Sequence, residues 1–206
     1  MISRAQGKTL TREAVSPRLP KLSALDKAML KWAVVDPEDR VLDANIGSGL
    51  MAEYLRRNMQ CEVCGVSDNM ENVREARGRL RNCDIVYAAA GDIPWREEAF
   101  DVILMKYTGD EEAVFHRVLC EAARVLRPGG QLILGTPCYP APLNAIAAVF
   151  SSENPEENHP FQRDEVTDML ESCDFENVTW QRTGLGTGVM IAWKRKPEIA
   201  ELRNAV

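Results

Sequence analysis

Short apolar segments alternate with amphipathic segments along most of this chain, and that alternation constrains the fold more than any other feature. The segments that predict strands are VLDAN (41–45), CEVCGVS (61–67), DIVYAAA (84–90), FDVILMK (100–106) and QLILGTP (131–137). The segments that predict helices between them include GLMAEYLRRNM (49–59), NMENVREARGRL (69–80) and EEAVFHRVLCEAARVL (111–126). Strands that are joined through helices pair in parallel, because a parallel neighbour requires a crossover connection. We therefore expect a doubly wound α/β fold, a three-layer sandwich with helices on both faces of the sheet.

Two further apolar segments near the C-terminus complete the expected sheet. ENVTWQRTG (176–184) and GVMIAWKRK (188–196) follow one another with no helix between them, so they predict an antiparallel hairpin at one edge. The result is a mostly parallel seven-stranded sheet with an antiparallel C-terminal hairpin. We expect residues 1–22 to form a basic N-terminal arm and residues 23–206 to form a single domain.

Charge and composition exclude several functional classes. The 206 residues include 25 Lys and Arg against 31 Asp and Glu, and the net charge of −6 disfavours nucleic acid as a partner. No apolar run approaches the roughly 20 residues of a membrane span, and the start of the chain does not resemble a secretory signal. We therefore expect a cytoplasmic protein whose six cysteines are reduced thiols.

The pair Cys61-x-x-Cys64 is the one cysteine spacing that suggests a metal or redox site. Residues three apart on a strand point to opposite faces, and no second such pair or nearby histidine completes a ligand set. We expect both thiols to be structural core residues and expect no metal site here.

A glycine loop follows the first predicted strand, at the edge where doubly wound sheets bind their ligands. Gly47 and Gly49 allow the backbone to approach a ligand and to turn into a helix whose N-terminal amides face it. The spacing from Gly47 to Ala52 also fits a dinucleotide fingerprint, which predicts a nicotinamide or flavin oxidoreductase. Asp43 argues against that hypothesis, because the fingerprint usually follows an uncharged strand. An ordinary βα turn is the third interpretation of the loop alone.

Four segments together resemble a known family. The segment VLDANIGSG resembles motif I of the class I S-adenosylmethionine-dependent methyltransferases, and the later segments GVSDNMENVREARGRL, AAAGDIPWREEAFDVILMK and VLRPGGQLIL follow in that family's order. The resemblance covers roughly residues 25–136 and is closest to the ubiquinone and menaquinone biosynthesis enzymes. It implies a Rossmann-like methyltransferase fold, S-adenosylmethionine as cofactor and a small organic methyl acceptor. We expect the N-terminal arm and residues 138–162, both irregular in sequence, to cover the acceptor pocket, with residues 138–162 as a lid.

The same resemblance implies which residues bind the cofactor. It assigns the methionine end of the cofactor to the first-strand loop, the ribose to the end of the second strand, the adenine to the loop after the third strand, and the methyl-transfer side to the end of the fourth. In that order the residues are Asp43, Ala44, Asn45, Gly47 and Gly49; Ser67 or Asp68; Ala89, Ala90 and Asp92; and Met105 and Lys106.

Three positions depart from the family pattern. Asn45 replaces a glycine, Ser67 replaces the acidic residue that accepts hydrogen bonds from the ribose, and Ala89 replaces an aspartate that often binds the adenine amine. Two lost charge-assisted hydrogen bonds could cost about 1.5–3 kcal/mol each. A catalytically weak or inactive binding or scaffolding module on the same fold is therefore the alternative to an enzyme.

Methyl transfer needs alignment and exclusion of water, and sometimes a base that acts on the acceptor. Tyr107, directly after the fourth predicted strand, is the best-placed catalytic candidate. Asp110 is better explained as a helix cap, and His116 as a packed or surface residue of the long helix. Tyr139 and His159 are further candidates. No apolar stripe predicts an oligomeric state.

Overall fold

The computed structural model describes residues 20–107, 112–137, 161–183 and 187–197. The described helices are α1 (Ala24–Trp32), α2 (Leu50–Asn58), α3 (Met70–Arg79), α4 (Glu112–Val125) and α5 (Arg163–Ser172). The described strands are β1 (Arg40–Asp43), β2 (Glu62–Ser67), β3 (Ile85–Tyr87), β4 (Phe100–Lys106), β5 (Leu126–Pro137), β6 (Phe175–Arg182) and β7 (Thr187–Lys194). The described helices include none that is long and apolar enough to cross a membrane.

All seven strands form a single sheet in the order β3-β2-β1-β4-β5-β7-β6. The strands from β3 to β5 are parallel, whereas β7 pairs antiparallel with both β5 and β6. This arrangement confirms the mostly parallel seven-stranded sheet and the antiparallel C-terminal hairpin. The chain crosses from one side of β1 to the other after β3, so the sheet has a topological switch point beside β1, where such folds bind ligands.

Apolar side chains alternate between the two faces of the sheet and pack into two cores. Val41 and Val63 belong to the core under α1, α2 and α3. Leu42 and Cys64 belong to the core under α4 and α5. Cys61 lies in the first of these cores and Cys64 in the second, as their spacing predicts. Burial raises the pKa of each of these two thiols to about 11, which suits them to packing rather than to reactivity.

Helix α1 begins with a capping box. The Ser23 side chain accepts a hydrogen bond from the Asp26 backbone N–H, and the Asp26 carboxylate accepts one from the Ser23 backbone N–H, each at 3.0 Å. These two bonds satisfy amide groups that would otherwise lack partners at the start of the helix. Ser23 is thus the N-cap of α1, a role that the sequence predicts from a serine placed directly before an apolar helical pattern.

Two strands differ from their predicted extents by three residues or more at one end. β3 ends at Tyr87, so Ala88, Ala89 and Ala90 leave the sheet instead of continuing the strand. β5 begins at Leu126, directly after α4. Phe100 of β4 pairs with Leu126, whereas Val102, two residues later, pairs with Gln131, so the register shifts between these two pairs. The four residues 127–130 (Arg-Pro-Gly-Gly) therefore form a bulge opposite β4, although they remain part of β5.

The expectation that all cysteines are reduced is wrong for one pair, because Cys120 and Cys173 form a disulfide. The two residues are 53 positions apart in sequence, on α4 and just after α5. Packing of these helices brings their Cα atoms to 4.8 Å, within the range of bonded cysteines. No spacing pattern reveals such a pair, since the proximity comes from tertiary packing.

Several sequence-based expectations concern residues outside the described ranges. These are most of the N-terminal arm (1–19), most of the lid segment (138–160), and the candidates Asp110, Tyr139 and His159.

The bulge in β5 generates a stability prediction. A Cβ on Gly130 would lie 2.8 Å from the Asp101 carbonyl oxygen and 2.9 Å from that of Arg127, so backbone would have to shift. Gly130→Ala should lower the free energy of unfolding by about 1–3 kcal/mol. Gly78→Ala is the matched control, because this helical glycine has open space around it. It should raise the free energy by about 0.5–1 kcal/mol in urea unfolding followed by circular dichroism. Equal effects of the two substitutions would contradict the prediction.

Candidate functional site

The loop after β1 is held between the two neighbours of that strand. The Ala44 N–H donates to the Leu104 carbonyl of β4 at 2.8 Å, and the Ile46 N–H donates to the Val66 carbonyl of β2 at 3.0 Å. Ala44 packs into one core and Ile46 into the other. The backbone thus crosses the end of the sheet in a single defined path, which places Asn45 at the exposed carboxyl edge.

Glycine is required at two positions of this loop by backbone conformation. Gly47 has φ +51° and Gly49 has φ +79°, both in the left-handed region that other residues rarely adopt. A Cβ on Gly49 would also press against Ala76 and Leu80 of the α3 segment, at 3.1–3.3 Å. Gly47 faces open space, because a Cβ there would meet no atom within 4 Å.

A cavity of about 580 Å³ lies at the carboxyl ends of β1, β2 and β4. It brings together residues that the sequence assigned to the site from four separate segments. These are Ala44, Asn45, Ser67, Asp68, Ala89, Ala90, Met105, Lys106 and Tyr107. Its size is that of a small-molecule or cofactor pocket.

Four of the assigned residues do not line this cavity. Gly47 and Gly49 lie behind it in the loop, and Asp43 is fully buried beneath it. Asp92 is exposed outside the cavity, because its backbone N–H closes a turn onto the Ala89 carbonyl at 3.0 Å.

Polar side chains at the rim have defined hydrogen bonds. The Asn45 amide donates to the Lys106 carbonyl at 3.2 Å, which ties the β1 loop to the end of β4. The Ser67 hydroxyl accepts from the Asn69 backbone N–H at 3.1 Å. Asp68 follows the last residue of β2, so the alternation of side chains along a strand no longer applies to it. Ser67 and Asp68 therefore both reach the cavity.

The loop that carries Ala89 and Ala90 is anchored to α4. The Ile93 N–H donates to the Glu121 carboxylate at 2.8 Å, and the Arg124 guanidinium donates to the Ile93 carbonyl at 2.9 Å. Glu121 and Arg124 also pair with each other at 2.8 Å. The contacts among Ile93, Glu121 and Arg124 thus hold the loop that forms one wall of the cavity.

Sequence reasoning missed the wall that α4 contributes. Ala113, Val114, Arg117 and Val118 line the cavity together with Ala88 and Gly91. Arg117 also donates to the Gly91 carbonyl at 3.1 Å. The four α4 residues form a helical stripe, and this periodicity is the signal that could have identified them. His116 lies on the same helix but outside the cavity.

Lys106 forms an ion pair that the sequence does not reveal. Its ammonium donates to the Asp26 carboxylate of α1 at 3.0 Å. Burial raises the pKa of Asp26, but the hydrogen bonds from Ser23 and Lys106 outweigh burial, and the net shift is downward. Asp26 is therefore ionised at neutral pH and neutralises the charge that Lys106 brings to the site.

Asp43 is a buried carboxyl group without a hydrogen-bond partner on either oxygen among the described residues. Burial raises its pKa to about 6, although the charge of Lys106 and the nearby Asn45 N–H offset part of that rise. A carboxylate in this position is costly unless a cationic or hydrogen-bonding group approaches it.

Tyr107 forms the aromatic end of the cavity. Its ring stacks on Phe115 of α4 with centroids 4.2 Å apart and an interplanar angle of 7°. Phe115 in turn stacks on Phe161 at 5.0 Å. Tyr107 is half-buried and lines the cavity, so the structure brings this catalytic candidate to the predicted end of the sheet.

Comparison with known proteins points to one family. Residues 42–134 match the protein family described as "Methyltransferase domain". The segment that carries the cavity is therefore similar to methyltransferase domains. The matched range begins within β1, ends within β5 and contains every residue that lines the cavity.

Relatives and solved structures agree with this assignment. The chain is 28% identical to the demethylmenaquinone methyltransferase of Tropheryma whipplei (strain Twist) over 194 residues, which cover 84% of this chain and 81% of the relative. It is 35% identical to phthiotriol/phenolphthiotriol dimycocerosates methyltransferase 1 of Mycobacterium ulcerans (strain Agy99) over 97 residues, 46% of this chain and 36% of the relative. A protein from Pyrococcus horikoshii OT3 has a similar fold, with a TM-score of 0.69 and 18% identity, covering 84% of this chain and 88% of that protein.

These relatives favour methyl transfer over both alternatives from the sequence. The match of the glycine loop is to methyltransferases, so the oxidoreductase hypothesis loses its one supporting feature. The hypothesis of a non-catalytic scaffolding module is not favoured either.

The buried carboxyl group of Asp43 predicts a pH dependence of stability. Its pKa is about 6 in the folded protein against 3.8 ordinarily, so the folded state holds a proton that the unfolded state releases. The free energy of unfolding should therefore fall as pH rises from about 4 to 6, by about 3 kcal/mol through this group. Asp43→Asn should flatten that slope in urea unfolding measured across the range.

Asp26→Asn is the matched control, because the pKa of Asp26 is shifted down and its contribution has the opposite sign. Removing it should lower stability most above pH 4. An unchanged slope in Asp43→Asn would show that this carboxyl does not titrate with a raised pKa.

Proposed function

We propose that this domain transfers a methyl group from S-adenosylmethionine to a small organic acceptor, and that both bind in the 580 Å³ cavity. The observation that carries the proposal is the convergence of the loop after β1, the end of β2, the Ala88–Ala90 segment and the end of β4 on that cavity. They belong to three of the four segments that carry the family resemblance.

Two features of the site fit a cofactor of this kind. Neither oxygen of the buried Asp43 carboxyl group has a hydrogen-bond partner among the described residues. The loop that follows Asp43 faces open space at Gly47. Asn45 fits as well, since its side chain bonds to the Lys106 carbonyl instead of filling the cavity. The departure from glycine at this position is therefore accommodated by a contact with β4.

Each wall has a role in the proposal. The Asp43 carboxylate and the Asn45 segment would hold the cationic methionine end, and Ser67 and Asp68 would accept hydrogen bonds from the ribose hydroxyls. Ala88, Ala89 and Ala90 would provide an apolar surface for the adenine ring. When bound, S-adenosylmethionine supplies a methyl group on a positively charged sulfur.

The acceptor would lie near Met105, Lys106 and Tyr107. The cavity is lined chiefly by apolar side chains, and the charge of Lys106 is neutralised by Asp26, so an acceptor with an apolar body fits better than a multiply charged one. The similarity to the demethylmenaquinone enzyme makes quinol-type acceptors the first class to assay. Tyr107 would orient or deprotonate the reacting hydroxyl. A cytoplasmic location and a lid formed by residues 138–162 remain predictions.

Binding of S-adenosylhomocysteine tests the cofactor site directly. Isothermal titration calorimetry of the wild-type chain should show saturable binding with a dissociation constant in the micromolar range, about −8 kcal/mol. Ser67→Asp should tighten it by about tenfold or more, because a carboxylate offers two charged acceptors where the hydroxyl offers one neutral acceptor. Asp92→Asn is the matched control and should change the constant by less than about twofold, because Asp92 lies outside the cavity.

The result that would overturn the cofactor assignment is a folded wild-type protein that does not bind, with Ser67→Asp equally unable to bind. Circular dichroism of each variant establishes that it is folded. That result would revive the non-catalytic module on this fold.

Tyr107→Phe tests the catalytic role while keeping the ring that stacks on Phe115. The turnover number kcat should fall by about a hundredfold, as expected for removal of a general acid–base group, while the dissociation constant for S-adenosylhomocysteine stays unchanged. Tyr87→Phe is the control, because Tyr87 is an exposed tyrosine at the end of β3 and does not line the cavity. A kcat equal to wild type in Tyr107→Phe would remove Tyr107 from the chemistry.

A further inference from the structure

A second cluster of reactive side chains lies between α4 and the end of α5, away from the cavity. His116, Cys120 and Cys173 each offer one atom able to bind a metal ion, and these three atoms lie within 4.8 Å of one another. It is the sole group of three or more His, Cys, Asp or Glu residues with this geometry in the part of the chain that the structure describes. The proposed methyl transfer makes no use of it.

The local fold brings the three residues together. His116 and Cys120 are four positions apart on α4, so their side chains share a face of that helix. Cys173 follows α5 as its C-cap and is buried against the same face. His116 and Cys120 are half-buried, which leaves a path from solvent to the cluster.

Ser172 determines which nitrogen of His116 is available. The Ser172 hydroxyl donates its one proton to the Met169 carbonyl at 2.7 Å, so it must accept from His116 Nε2 at 2.9 Å. The hydrogen-bond pattern therefore assigns the proton to Nε2 and a free lone pair to Nδ1. Metal-binding histidines commonly have this arrangement, with the second ring nitrogen held by a hydrogen-bond acceptor.

The spacing of the ligand atoms also suits a tetrahedral ion. The Cys120 Sγ lies 3.8 Å from His116 Nδ1, the nitrogen with the free lone pair, and the ligand atoms of all three residues lie within 4.8 Å of one another. Zinc bonds of about 2.3 Å to sulfur and about 2.0–2.1 Å to nitrogen place such ligands roughly 3.6 Å apart. The two sulfur atoms, which are joined in the disulfide, would have to separate to take up positions around the ion.

We propose that the thiolates of Cys120 and Cys173 and the imidazole of His116 bind a Zn²⁺ ion whenever the disulfide between the two cysteines is reduced. The metal and the disulfide exclude one another, because both use the same two sulfur atoms. A phosphine reductant and one water molecule convert the disulfide into two thiols and the phosphine into its oxide. Binding of the ion then releases the two thiol protons to solvent.

Cobalt tests the site, because Co²⁺ bound to thiolates absorbs in the near ultraviolet through sulfur-to-metal charge transfer. The whole chain is reduced with a phosphine, freed of reductant without oxygen and titrated with Co²⁺, beside an identical sample left oxidised. The reduced protein should bind one Co²⁺ ion, which Zn²⁺ displaces. The oxidised protein should show no such band.

Variants locate the site. Cys120→Ser and Cys173→Ser should each weaken Co²⁺ binding by at least about tenfold, and Ser172→Ala by about 10–100-fold through loss of the partner that orients His116. Cys83→Ser is the matched control, because Cys83 is a free, half-buried cysteine outside the cluster, and it should bind as wild type does.

Three results would overturn the proposal: no saturable band in the reduced protein, equal binding by the oxidised protein, or unchanged binding in Cys120→Ser. Circular dichroism shows whether the reduced protein is still folded. Loss of folded structure on reduction would also overturn the proposal. His116→Gln keeps both cysteines and the disulfide, so it tests the nitrogen ligand even where a cysteine variant does not fold. It should also bind Co²⁺ at least about tenfold more weakly.

Discussion

The pairing of β1 with β2 on one side and β4 on the other is the constraint on which the rest of the structure depends. It continues beyond the strand, since Ala44 bonds to β4 and Ile46 bonds to β2. The glycine loop therefore cannot move independently of the sheet. With α2 on one face and α4 on the other, the crevice between them opens at the carboxyl end of β1.

Charge at this edge is arranged in two ways. Lys106 and Asp26 neutralise each other at the border of the cavity, and the pair also joins α1 to the end of β4. Asp43 has no such partner, and burial raises its pKa to about 6. A cationic ligand would lower that pKa and relieve the cost of burying the charge, so cofactor binding and the ionisation of Asp43 should be coupled. This coupling links the stability of the core to the proposed function.

Helix α4 connects several parts of the molecule. One stripe, with Val114 and Arg117, lines the cavity, while Glu121 anchors the loop after β3. A second stripe, with His116 and Cys120, packs against the end of α5. An ion or a disulfide at that second stripe would hold α4 against α5. The aromatic stack of Tyr107, Phe115 and Phe161 extends the same connection to the end of the cavity.

The order of the elements, the Ser23 cap and the glycine loop after β1 could all be predicted from the sequence, because they depend on local periodicity, capping and glycine placement. The end of β3 and the start of β5 depend on the tertiary structure, because the length of a strand follows from backbone pairing with its neighbour. The tertiary structure also decided the Lys106–Asp26 pair and the meeting of His116, Cys120 and Cys173. Those contacts join residues up to 80 positions apart, and only packing of distant elements brings such residues together.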